Sequence, residues 1–400
     1  MHAASQIAAR LAPFGESVFA TFSRLAVQHG AVNLGQGFPN FDGPAFALAA
    51  ATEAISHSGG RYSQYARSHG LPELNAAIAA RFEKDTGLRA DPDAEITVTS
   101  GCTEAIAATL LGLVNPGDEV VLVEPFYDSY PALVALAGGR VRCVRLEPPH
   151  FHLPVQELCA AIGPRTRLVL LNTPHNPTGR VFTREELAPV AEAIRASNAI
   201  LVSDEVYEKL WYERPHLSPA VLPGMRDRTV VLSSLGKTFS LTGWKIGWAI
   251  APPGLSNAIR AAHQFLTFAS ATPLQKAAAV SLACPDRYYE SLRAEYLERR
   301  ELILEELRSA GLEPFVPEGS YFVLCDHRRF GFADDLDFCR HLVTEVGVAA
   351  IPCSPFHDLS GERAGTPDPG AHALVRFAFC KTPETIREAG ERLRRGLRPR

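Results

Sequence analysis

No two of the eight cysteines in this 400-residue chain, at 102, 143, 159, 284, 325, 339, 353 and 380, are spaced as Cys-x-x-Cys. With the thirteen histidines they make no zinc-ligand grouping, so no metal centre is expected and reduced thiols in a cytoplasmic protein are. No stretch approaches the roughly 20 apolar residues a membrane helix needs. The Ala-rich start, Met1 to Arg10, has one arginine and no apolar signal core, so neither a span nor an export signal is expected. A formal charge of −4 without a long basic block argues against nucleic acid or acidic membrane surfaces as partners. No Gly-x-Gly-x-x-Gly follows the first strand-like run, against a dinucleotide-dependent dehydrogenase. The roughly 30 residues before Val32 are too few for the DNA-binding domain a ligand-sensing regulator would add. Internal repeats and low-complexity tracts are also lacking.

What is present is a chain with 46% hydrophobic and 21% charged residues, long enough for two domains. Short apolar runs at 95–99, 119–123, 140–146, 167–171, 199–203, 229–232 and 246–250 read as buried strands, separated by helix-length segments such as 103–114, 130–137 and 184–197. That alternation predicts an α/β fold, a doubly wound and mostly parallel sheet covered on both faces, with ligands at the carboxyl ends of its strands. Beyond about residue 285 the pattern becomes α+β: a helix over 287–310, a strand over 320–325, a helix over 334–345 and a strand over 374–379. The expected division is an N-terminal arm and part of the small domain (1–45), a large domain (46–285) and a small C-terminal domain (286–400). Residues 360–370, rich in Gly and Pro, read as a mobile insertion.

The chemistry centres on Lys237. A lysine amine becomes a nucleophile only where burial and neighbouring charge favour its neutral form. Its neighbourhood, residues 233–248, offers Phe239, Leu241, Trp244 and Trp248 for enclosure, Gly236 and Gly243 for close backbone approach, and Ser233, Ser234 and Lys245 as phosphate partners. Ser100-Gly101-Cys102-Thr103 follows a strand and opens a helix, where free N–H groups suit a phosphate. Asn172 to Gly179 contains two X-Pro units that would present Asn172 or Asn176 rigidly. Asp204, at a strand end, could keep a pyridine nitrogen protonated, and Tyr207 could donate to the ring oxygen. Arg376 interrupts an apolar strand, and its planar fork suits an α-carboxylate. Each also has a plainer reading. Lys237 could be a solvated lysine, Ser100 a helix cap, 172–179 a turn before a helix capped by Thr183 with Glu186, Asp204 a solvated turn, and Arg376 half of an internal salt bridge.

Taken in order, the runs at 33–39, 64–65, 124–128, 172–179, 203–207 and 236–245 resemble the class I/II pyridoxal-phosphate aminotransferases with the aspartate-aminotransferase fold. The likeness extends from about Ala31 to Lys381 and is greatest to the kynurenine/glutamine and bacterial methionine branch. The resemblance implies that Lys237 carries pyridoxal 5′-phosphate as a Schiff base and shuttles the substrate proton. Asp204 would pair with the ring nitrogen, Asn176 and Tyr207 with the ring oxygen, and Tyr127 would stack on the ring. Ser234, Lys245 and the backbone of Gly101 and Cys102 would hold the phosphate, with Tyr65 reaching in from the other subunit of a homodimer. Arg376, Asn176 and the Gly37 backbone would take the substrate carboxylate, and Phe19, Phe268 and Tyr321 would surround its side chain, although each of these aromatics could equally be plain core. Many aspartate-type enzymes have arginine where this chain has Lys245, and no second arginine for a side-chain carboxylate is evident.

The expected activity is amino transfer from a neutral amino acid of the Met, Gln or aromatic type to a 2-oxo acid, in two half-reactions. N-succinyldiaminopimelate aminotransfer is the nearer alternative, although it needs a cation for the distal carboxylates. β-Elimination from cysteine conjugates at the same site is the other.

Overall fold

The computed structural model describes residues 7–357 and 370–398. The first six residues, and the Gly/Pro-rich stretch apart from Gly370, lie outside the described residues.

Seven strands form the central sheet: β1 (Ile96–Thr99), β2 (Glu119–Glu124), β3 (Arg140–Arg145), β4 (Thr166–Asn172), β5 (Ile200–Asp204), β6 (Thr229–Ser234) and β7 (Gly247–Ile250), in the spatial order β1-β7-β6-β5-β4-β2-β3. Ladders from β6 through β3 are parallel, whereas β7 runs antiparallel to both its neighbours. The reversal has a local cause. Only short helical turns, Leu235–Thr238 and Thr242–Trp244, join β6 to β7. Without a full crossover helix the chain must return alongside the strand it left.

Successive residues of each central strand serve opposite layers, as a pleated strand requires. Val120, Leu122, Leu168 and Leu170 pack with Ile106 and Leu110 of the helix Gly101–Leu113 and with Ile259 of Pro253–Leu266. Val121, Val123, Val169 and Leu171 face the other way, against Leu187, Val190 and Ile194 of Arg184–Arg195. Both faces are thereby dry, which is why these strands read as continuous apolar runs. Thr183 and Glu186 form the expected capping box at the start of Arg184–Arg195.

The C-terminal part is built on the long helix Asp286–Ser309 and a four-stranded antiparallel sheet in the order Ile351–Pro352, Leu374–Ala378, Phe322–Asp326, Glu313–Phe315. The strand expected from 320 starts at Phe322, because Ser320 takes a left-handed φ of 58°. The helix expected over 334–345 is α-helical over Asp335–His341 and widens to π geometry over Leu342–Val346, ending at Gly347 with φ 79°. The N-terminal segment belongs with this part: Val32–Asn33 pairs in parallel with Val348–Ala349, and the Ala378 N–H donates to the Leu34 carbonyl at 2.6 Å. No helix among the described residues is long and apolar enough to cross a membrane.

Candidate active site

The carboxyl ends of β2, β4, β5 and β6 converge with the Leu34–Phe38 loop and the strand Leu374–Ala378 on a cavity of about 290 Å³. The sheet's parallel order makes this convergence, since parallel strands bring all their carboxyl ends to one edge.

Lys237 stands on the short helix after β6 and lines this cavity. Its Nζ donates to the Gly37 carbonyl at 3.4 Å and lies 5.9 Å and 5.8 Å from the ring centres of Tyr207 and Tyr321. Enclosure pushes its pKa below that of an ordinary lysine, and the Arg376 charge acts in the same direction against the Cys380 thiol and Asp204. The amine is therefore biased toward its neutral, nucleophilic form, and the solvated-lysine reading does not describe it.

Asp204 ends β5, nearly inaccessible to solvent. Its carboxylate accepts from the Tyr130 hydroxyl at 2.6 Å, the Val206 N–H at 3.3 Å and the Cys102 thiol at 3.6 Å. Burial raises its pKa and these donors oppose the rise. No cation lies within ion-pair distance of it among the described residues.

The 172–179 loop is set by its own first residue. Asn172 Nδ2 donates to the Asp204 carbonyl at 2.9 Å, and its Oδ1 accepts the Asn176 N–H at 2.7 Å. Asn176 Oδ1 in turn accepts from Arg376 Nη1 at 2.9 Å, while Arg376 Nη2 donates to the Gly35 carbonyl at 3.0 Å. Arg376 is 2% exposed and makes no salt bridge among the described residues, so the internal-pair reading fails. Aromatic faces enclose it instead, with Phe322, Phe19 and Phe356 centred 4.0, 4.9 and 5.5 Å from its guanidinium carbon. Its Nε has no partner among the described residues.

At the other end of the cavity, Gly101, Cys102, Ser234 and Lys245 meet. Ser100 occupies the N-cap position but its side chain makes no cap bond. Two glycines make the close approach possible. A Cβ on Gly247 would fall 2.5 Å from the Gly101 carbonyl carbon and 2.6 Å from the Cys102 nitrogen, and Gly101 itself has φ +77°. Lys245, also left-handed at φ 54°, is turned so that its ammonium lies 3.1 Å from where a Gly101 Cβ would be.

Tyr207, Tyr127 and Phe19 line the same cavity, as does Gly37, whose carbonyl accepts the Tyr321 hydroxyl at 2.6 Å. A Cβ on Gly37 would press on Phe322 at 2.8 Å. Of the residues expected from sequence, Tyr321 stands behind this lining with its hydroxyl on Gly37, Ser233 turns to the other side of its strand and donates to Glu208, and Tyr65 and Phe268 stand apart at the surface. These last two are 84% and 49% exposed and contact each other edge to face at 5.3 Å. Phe268 is therefore not core. Tyr130 and Phe322 went unread in sequence as wall residues, whereas Asn172 was offered together with Asn176. Tyr130 stands three positions after Tyr127, but Tyr127 precedes the helix Ser129–Leu136, so no helical period marks the pair in sequence.

The residues present fit the cofactor that the sequence resemblance implies. A buried carboxylate without a cation partner matches a protonated ring nitrogen, a glycine-lined helix start beside Ser234 and Lys245 matches a phosphate, and an enclosed amine between them matches an aldehyde. The geometry defines a site for lysine-centred carbonyl chemistry on an α/β scaffold.

Comparison with known proteins agrees. The family described as aminotransferase class I and II matches residues 30–393, and the chain belongs to it; the protein is a transaminase, and the family implies dependence on pyridoxal phosphate. A Mycobacterium tuberculosis protein named N-succinyldiaminopimelate aminotransferase is 44% identical over 387 residues, spanning 96% of this chain and 97% of its own. The methionine aminotransferase of Escherichia coli is 41% identical over 386 residues, spanning 96% and 97%. Human kynurenine–oxoglutarate transaminase 1 is 35% identical over 404 residues, spanning 94% of each chain. The solved M. tuberculosis structure superposes with a TM-score of 0.92 at 44% identity, covering 97% of this chain and 99% of that one. Thermus thermophilus aspartate aminotransferase, solved with maleate, gives 0.88 at 31% identity, covering 98% and 100%. The expected aspartate-aminotransferase fold is thus the fold of the molecule.

Proposed function

We propose that the protein transfers the amino group of a neutral amino acid of the Met, Gln or aromatic type to a 2-oxo acid, with pyridoxal phosphate held by the residues around Lys237. The observation that carries this reading is one cavity lined together by an enclosed Lys237, a buried Asp204 and an Arg376 that has no carboxylate partner among the described residues. When bound, the cofactor supplies an electron-accepting ring that takes up the charge left on the substrate α-carbon. Arg376 and Asn176 bind the α-carboxylate, with the Gly37 backbone closing on it. Lys237 Nζ would take the proton from the substrate α-carbon and deliver it to the cofactor's former aldehyde carbon, so that the amino group stays behind when the 2-oxo acid leaves. Asp204 would pair with the ring nitrogen, Tyr207 and Asn176 would donate to the ring oxygen, and Tyr127 would stack on the ring. Ser234, Lys245 and the Gly101–Cys102 backbone hold the phosphate.

The preference for a neutral donor follows from the wall: among the described residues its cations are Lys237, Lys245 and Arg376, and each has a task above, while Phe19, Phe38 and Phe322 supply apolar surface. The 44% relationship to the M. tuberculosis protein makes a succinylated diamino acid the second candidate donor. We assign Tyr65 and Phe268 to the neighbouring subunit's site in a homodimer, the large domain to 46–285, the small one to 286–400 with the 1–45 arm joined to it, and the protein to the cytoplasm. The test is a half-reaction screen of the common amino acids and N-succinyl-L,L-diaminopimelate, following the cofactor's absorbance. Turnover with Met, Gln or aromatic donors is expected. Turnover with the succinylated compound alone would overturn the neutral-donor reading.

A further inference from the structure

We propose that Tyr130 is a positioning residue of this site, whose hydroxyl, donating to Asp204 from the helix Ser129–Leu136, holds that carboxylate ionised and aimed at the cavity. The inference rests on the role given above to Asp204. A fully enclosed carboxylate is pushed toward its protonated form, in which it could no longer hold a proton on a ring nitrogen. Something must hold it charged. The Tyr130 hydroxyl makes the shortest of its three contacts, 2.6 Å, against 3.3 Å from Val206 and 3.6 Å from the weaker thiol donor Cys102. Tyr130 is 3% exposed, and burial and the adjacent Asp204 charge raise its own pKa well above a phenol's ordinary value, so it stays a donor throughout the working range. The other titratable groups facing Asp204 are Lys237, whose charge favours the carboxylate, together with Cys102, Tyr127 and Tyr207. Tyr130 has a second contact that lets the two roles be separated. Its ring meets Tyr127 edge to face at 5.7 Å, so Tyr130→Phe removes the hydroxyl and keeps the ring that supports the wall.

The experiment compares wild type, Tyr130→Phe, Tyr130→Phe with Cys102→Ser, and Asp204→Ala. Tyr130→Phe is expected to lower kcat about 10- to 100-fold, the range for a lost hydrogen bond to a buried charge, with KM for the amino acid little changed. The pH midpoint of the bound cofactor's absorbance should move by about one unit. In the apo-protein the deficit in Tm of Tyr130→Phe should widen as pH rises from about 4 to 7, because the variant raises the Asp204 pKa further and the ionised form is the one it penalises. A merely structural role would lower Tm equally at every pH. Cys102→Ser, which puts a stronger hydroxyl donor at the thiol's place, should restore part of kcat. Wild-type kcat and midpoint in Tyr130→Phe, with both lost in Asp204→Ala, would overturn the proposal and leave the reading of Asp204 standing. Wild-type behaviour of Asp204→Ala would overturn that reading itself.

Discussion

Arg376 and Lys237 are basic groups in surroundings that work against a positive charge, and each is held there by something other than a carboxylate. Burial lowers the Arg376 pKa, the nearby Tyr207 hydroxyl opposing it, yet a guanidinium remains charged under all working conditions. Its fork is held by Asn176 and Gly35 and its face by Phe322, which leaves a planar donor edge rather than a point charge. Arg376→Lys keeps the charge and loses the fork. We expect KM for the amino donor to rise about 10- to 100-fold with a smaller change in kcat, as read from saturation kinetics of the first half-reaction. Equal falls in kcat and kcat/KM would instead place its contribution in the transition state alone. The same residues show what was legible in sequence. Lys237, Asp204, Asn176 and Arg376 could be picked out because each follows or interrupts a strand-like run, and the parallel sheet carries strand ends to one edge. Tyr130 could not, since its partner lies 74 positions away and no local pattern marks the contact. Phe268 matched an aromatic position in relatives, but in a single chain its left-handed backbone carries it to the surface.

At the scale of elements, the start of the helix Gly101–Leu113 and strand β7 are packed backbone to backbone, and that contact shapes the phosphate end of the cavity. Gly247→Ala would drive a methyl group into the Gly101–Cys102 peptide, where neither partner is a flexible side chain that could yield. Overpacking of this kind costs about 1–3 kcal/mol, and here it displaces the N–H groups assigned to the phosphate. The expected outcome is a cofactor dissociation constant raised roughly 10- to 100-fold, measured by equilibrium dialysis. β6 has a second consequence on its other side, where a cavity of about 340 Å³ is lined by Glu205, Glu208, Lys209, His216 and Ser233. Burial pushes the Glu208 pKa up to about 8 from an ordinary 4.5, while Ser233 Oγ donates to it at 3.1 Å. Between those two values the folded protein keeps a proton that the unfolded chain releases, so stability falls as pH rises through this window. Glu208→Gln is neutral at every pH and should flatten the decline in Tm between about pH 5 and 8. A decline as steep as the wild type's would assign it to other groups. Element boundaries were legible to within a few residues where runs were long and apolar. The two- and three-residue strands at 32–33, 313–315, 348–349 and 351–352 were not, because pieces that short carry no period.

For the whole molecule, a group of exposed side chains outside the cavity lining bears on assembly. Phe265 and Tyr65 are 86% and 84% exposed, with Leu266 and Phe268 beside them at 47% and 49%. Large apolar side chains grouped on a surface favour association, and a two-fold interface would present the same group from each copy. If Tyr65 serves the site of the other copy, two defective chains can make one good site. Lys237→Ala lacks the reacting amine, and Tyr65→Ala lacks only the residue donated across the interface. In a mixed dimer the Tyr65→Ala chain keeps its own Lys237 and receives Tyr65 from the Lys237→Ala chain, whereas the second site lacks both. Equal amounts unfolded and refolded together give mixed dimers for about half of the population, each with one intact site of two, so roughly a quarter of wild-type activity should return. Lys237→Ala alone should be inactive, and Tyr65→Ala alone should bind the cofactor weakly. No recovery beyond the summed activities of the separate variants would show that Tyr65 acts within its own chain or on neither site.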